Sequence, residues 1–182
     1  VNQRATVLLN IAISQAGWFG VILAASHGKP VLAGAVAIAG VVAHLALSSR
    51  RRTELLVVLA VMAVGATWDS VLAANGVIRY PNGQWSMLLA PYWLFGLWAL
   101  FATTLNVSMR WLHGRWLAAV LFGGIGGPLS FWAGARLGAA QFPNPVLALG
   151  LLAVGWALLM PLLVRITMAL DASPSVTRLP AH

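Results

Sequence analysis

The chain is predicted to be an all-α, polytopic transmembrane bundle of about six helices, with both termini in the cytoplasm. Three observations carry this. First, 60% of the 182 residues are hydrophobic and only 8% are charged, against about 25% charged in a soluble domain. Second, mean hydropathy is +0.87, and the apolar residues fall into six runs near the length of about 20 residues that a helix needs to cross the hydrocarbon core. Third, most of the basic residues, 11 against 3 acidic ones, lie between those runs or at their ends. In a soluble protein such an excess would suggest nucleic acid. No basic patch interleaved with aromatics exists, so no nucleic-acid partner is expected. The chain has no cysteine, which excludes disulfides, thiolate metal ligands and thiol nucleophiles.

The expected segments are residues 4–25, 30–47, 54–76, 91–112, 116–137 and 145–170. The first carries a small-residue stretch, Ala24-Ala25-Ser26, like a signal-peptide cleavage site. Its length and the polar Asn10, Ser14 and Gln15 within it favour an uncleaved helix. Pro30 suits the first turn of the second helix. A basic loop with Arg50, Arg51 and Arg52 precedes the third. The longest connection, 77–90, contains the turn signal Tyr80-Pro81-Asn82-Gly83. It is expected to be a lid or an interfacial tether. Residues 1–170 form a single transmembrane domain on this reading, and 171–182 a polar, disordered tail.

Orientation follows from the positive-inside rule. With the triple-arginine loop in the cytoplasm, the inner side holds Arg4, Arg50, Arg51, Arg52, Arg110, Arg115, Arg165 and Arg178. The outer side holds Lys29, Arg79 and Arg136.

Asp69 is the sharpest candidate for chemistry. It lies about 22 Å along the third segment from Glu54, and an intramembrane carboxylate marks a proton path, a substrate contact or an ion pair. Gly65, Ala73 and Gly76 share its face, so it should enter the bundle. Arg136 falls in the same outer half, and an Asp69–Arg136 pair would offset the cost of the buried charge. On the fifth segment Gly126, Ser130, Gly134 and Gly138 recur every four residues as a packing stripe. Pro128 cannot donate to the Gly124 carbonyl, so a kink or an opened backbone is expected at Gly127-Pro128. A packing kink and a pocket of freed backbone groups are both open at this stage. Trp68, Ser70 and Trp132 complete the set that would line an outer pocket around Asp69. Asn10, His44 and Asn106 fall at similar depths in the inner half and are expected to form a second, uncharged polar cluster.

The four histidines have no metal-ligand spacing, so no metal is expected. No nucleophile elbow, phosphate-binding loop or dinucleotide fingerprint is present, and no cofactor is expected.

Four stretches carry a resemblance: Gln15-Ala16-Gly17-Trp18-Phe19, Trp68-Asp69-Ser70, Pro91-Tyr92-Trp93-Leu94, and Gly126-Gly127-Pro128-Leu129 followed by Trp132 and Gly134. They resemble a bacterial family of integral inner-membrane proteins, catalogued as domain of unknown function 2878, over about residues 10–137. The resemblance implies the fold and a bacterial inner-membrane location, and no activity.

Three functions are therefore expected in order. The first is a protein handling a lipid or isoprenoid, as an enzyme or an enzyme's partner, with Asp69 as acid/base or polar anchor and Arg136 holding a headgroup. The second is a proton-coupled transporter or leak pathway through Asp69. The third is a non-catalytic scaffold for another membrane protein or a second copy of the chain, docked along the fifth helix.

Overall fold

A computed structural model describes residues 2–172. It contains six α-helices: α1 (Gln3–Ser26), α2 (Pro30–Leu47), α3 (Arg51–Ala74), α4 (Tyr92–Leu105), α5 (Trp116–Arg136) and α6 (Pro145–Ala172). All except α4 are long and apolar enough to cross a membrane, so the chain is a multi-pass membrane protein. α6 runs to Ala172, and Asp171 within it pairs with Arg50. Residues 173–182, including Arg178, lie outside the described residues.

The expected helix over 91–112 ends early. α4 has 14 residues, about 21 Å, and is followed by a single 3-10 turn at Arg110–Leu112. The carbonyls of its last turn are taken from outside the helix: Met109 N donates to Thr104 O at 2.8 Å, and the His113 ring lies 3.0 Å from Leu105 O. These contacts satisfy two of the carbonyls that a helix end leaves without intrahelical partners. α4 is nevertheless the central element. Nine of its 14 residues are buried, and α1, α2 and α3 pack around it. Leu100 of α4 fits between Gly17 of α1 and Gly40 of α2, where an added Cβ would come within 2.6 Å of it on either side.

α5 and α6 form a closely packed hairpin, and α6 in turn packs on α3. The face of α5 that meets α6 differs from the expected stripe. Gly123 and Gly127 carry the contact, with a Cβ at either position falling 2.3 and 2.2 Å from Trp156. Gly126 meets open space. Gly134 instead faces Ile22 of α1. Pro128 lies within a helix assigned without interruption from Trp116 to Arg136, and Pro161 lies likewise within α6.

One end of the bundle is closed by matching helix stops. At the end of α1, Gly28 N donates to Ala25 O and Lys29 N to Ala24 O. Gly28 takes the left-handed conformation that this motif requires, with φ 68°. α3 ends in the same way at Gly76, and α5 at Gly138. The connection 77–91 is tied down over this end. Arg79 and Gln141 exchange backbone hydrogen bonds of 2.9 and 2.8 Å. Asn82 Nδ2 donates to Ala25 O, and Trp93 Nε1 donates to Asn82 O. These contacts hold the segment as a fixed cap on this end of the bundle.

Candidate functional site

Asp69 enters the bundle from α3 and is 0% exposed. Its Oδ2 accepts a 2.6 Å hydrogen bond from Trp98 Nε1 of α4, and its Oδ1 has no partner among the described residues. Trp98 stacks on Trp156 of α6, with ring centroids 4.7 Å apart. Three glycines make room for three tryptophans. Trp98 lies against Gly65, Trp156 against Gly127, and Trp68 against Gly155. The carboxylate therefore holds one indole of an aromatic stack that joins α3, α4, α5 and α6. Tyr80, in the cap, is also buried. Burial first, and then the Asp69 charge, push its phenol well above the ordinary range.

The expected ion pair is absent. Arg136 lies on the exposed surface of α5, 5.9 Å over the half-exposed Trp132 ring. It faces outward because α5 gives its small residues, not this edge, to α6. Ser70 does not bond Asp69; its hydroxyl accepts from Ala90 N. Thus Gly127 backs the Trp156 ring of the stack, and Trp68 packs on Gly155 of α6. Arg136 and Trp132 lie outside the stack, Ser70 anchors the cap, and Pro128 adjoins Gly127.

The expected inner cluster divides in two. His44 Nε2 lies 3.1 Å from Glu54 Oε2, and Asn106 Nδ2 donates to Glu54 Oε1 at 3.0 Å. Asn10 belongs to a separate network: its Nδ2 donates to Thr103 O, and its Oδ1 accepts from Ser108 Oγ. Glu54 was expected at a helix end. It is 7% exposed, because α3 begins at Arg51 and carries it inside the first turn.

A cleft of about 270 Å³ lies between α1 and α4 on one side and the α5–α6 hairpin on the other. Trp98 and Trp156 form its inner wall, so Asp69 touches the cleft only through the indole it holds. Ile11, Trp111 and Phe122 surround its mouth and are each exposed by two-fifths to one-half. No charged side chain lines it. Trp18 Nε1 of α1 donates to Ser130 Oγ of α5 at 3.1 Å. Both residues also line a second void of about 30 Å³, which reaches Tyr80 in the cap. Trp98 lines the cleft, whereas Trp68 and Trp132, expected to line an outer pocket around Asp69, do not. Among the described residues no group of three His, Asp or Glu side chains comes together to hold a metal.

The role of Asp69 gives a first prediction. Asp69→Asn keeps an acceptor oxygen for Trp98, so its thermal unfolding in detergent should stay close to that of the wild type. Asp69→Ala leaves the indole N–H unpartnered in an apolar stack, at a cost of about 1–3 kcal/mol. Equal losses in the two variants would remove the hydrogen bond as the explanation.

A family model described as a protein of unknown function, DUF2878, matches residues 7–162. No curated protein matches the chain, and no solved structure does.

Proposed function

This chain belongs to the DUF2878 family of proteins of unknown function, and we propose that it takes the apolar chain of a membrane lipid or isoprenoid into the cleft between α1 and α5. The observation that carries this reading is the cleft itself. It is walled by aromatic rings, carries no charge and has an exposed apolar rim on helices long enough to span a bilayer. Such pockets bind through apolar burial, with a few polar groups setting orientation. At about 270 Å³ the cleft is below the usual drug-sized range, which begins near 300 Å³. It would hold part of a chain while the remainder stays in the bilayer. Asp69 acts on this reading as a positioning residue, fixing the plane of Trp98.

On this reading the Trp111 end of the cleft faces the cytoplasm, as the positive-inside count favours, in the bacterial inner membrane that the resemblance implies. A chain held there would be presented to a partner enzyme or altered in place. The proton-path reading gains less support, since the one hydrogen bond of Asp69 goes to an indole and the Glu54 network is separate from it.

The test fills the mouth. Ile11→Trp adds a ring at a residue that is 42% exposed, so the fold should tolerate it. Native mass spectrometry of the wild type released from nanodiscs should show a retained lipid. Ile11→Trp should lose most of that lipid while its thermal unfolding is unchanged. A wild type that retains none would end this reading.

A further inference from the structure

Gln15 is a polar side chain of the cleft whose chemistry the proposed function leaves unused. It lies about 18 Å along α1, near the middle of a helix of 24 residues. It lines the cleft beside Ser14, one turn before Trp18. Its carboxamide has no hydrogen-bond partner among the described residues. A free amide at that depth is costly, because hydrocarbon supplies neither donor nor acceptor.

The other polar groups of the cleft do not answer it. Ser14 Oγ donates to Ile11 O, Thr104 Oγ1 to Phe101 O, and Ser108 Oγ to Asn10 Oδ1. Ser130 accepts from Trp18, and its own proton has no acceptor among the described residues. Gln15 thus offers two donors and one acceptor, and Ser130 offers a further donor across the seam. No charged side chain lines the cleft, so an ionised head would lie uncompensated there.

From this we infer that the cleft selects amphiphiles with an uncharged oxygen head, a hydroxyl or a carbonyl, and that Gln15 is the residue that recognises the head. The inference rests on the reading that the cleft binds a chain, and adds the chemistry of what the chain carries.

The experiment uses the full chain in nanodiscs doped equally with hexadecanol, palmitate and hexadecane, at a pH well above the carboxyl range. Retention is counted by native mass spectrometry for the wild type, Gln15→Leu and Ile11→Trp. The wild type should hold hexadecanol about 3- to 10-fold over hexadecane, the range for one neutral hydrogen bond, and over palmitate by more. Gln15→Leu should lower hexadecanol to the hexadecane level and leave hexadecane unchanged. It replaces an exposed residue with a good helix former, so the fold is kept.

Hexadecane held as well as hexadecanol by the wild type would overturn the selection while leaving chain binding intact. So would a preference for palmitate, or an alcohol preference that survives Gln15→Leu. If no probe is retained by the wild type, or if Ile11→Trp retains all three as the wild type does, the chain-binding reading itself fails.

Discussion

Glu54→Ala is expected to destabilise the protein by about 2–4 kcal/mol. The carboxylate is shared by two other helices. His44 comes from α2, Asn106 from the end of α4, and both oxygens of Glu54 are used. His44 and Asn106 are themselves buried. Truncation removes two hydrogen bonds and also leaves two polar groups without partners where water is scarce, and the second effect is the larger. Glu54→Gln keeps an acceptor and a donor in place and should recover most of the loss. Unfolding in mixed micelles, followed by far-ultraviolet circular dichroism, measures both variants. A Glu54→Ala midpoint equal to that of the wild type would show that the triad contributes nothing. A loss in Glu54→Gln as large as that in Glu54→Ala would show that the charge, and not the hydrogen bonding, is what matters.

Gly65→Ala is expected to cost about 2–4 kcal/mol. A Cβ at Gly65 would lie 2.0 Å from the Trp98 ring. The ring cannot simply rotate away, because its Nε1 is held by Asp69 and its other face is stacked on Trp156. Either α3 and α4 separate or the indole leaves the carboxylate. Gly126→Ala is the internal control, since a Cβ there meets nothing within 4 Å. It should be neutral or stabilise by up to about 1 kcal/mol through helix propensity. Thermal unfolding of the two variants, with tryptophan emission as a second readout for Gly65→Ala, decides the matter. Equal losses at both positions would mean that general glycine replacement, rather than the Trp98 contact, sets the cost.

Much of the architecture was legible in the sequence because it depends on local quantities. Run length and hydropathy gave six helices, and the burial of Asp69 followed from the small residues on its face. The misplacements share one cause. Helix length and depth say how far along the axis a residue lies, and nothing about which helices are neighbours. Asp69 and Arg136 were paired by depth, yet α6 packs against both α3 and α5, and Arg136 looks outward. Glu54 does lie in the first turn of α3, but its depth along the axis did not show that His44 and Asn106 converge on it. The glycine stripe on α5 was identified by its four-residue period, and Gly123 and Gly127 have the same period one residue away in phase. The cleft depends on the seam between α1 and α5, which are separated by three other helices in the chain. Only their assembled positions bring Gln15, Trp18 and Ser130 together.

Pro128 and Pro161 have a joint effect. Neither can donate to the residue four places back, so the carbonyls of Gly124 and Ala157 lose their helical partners. Those two residues touch: a Cβ on Gly124 would lie 3.3 Å from that of Ala157. The missing rungs of α5 and α6 therefore fall side by side. A helix resists bending through its ladder of hydrogen bonds, and is most compliant where a rung is gone. Two rods creased at the same level flex about one axis, where staggered creases would lock them. Phe122 lies on one side of that crease and Ser130 on the other, and both line the cleft. Bending of the hairpin at that crease would change the width of the cleft.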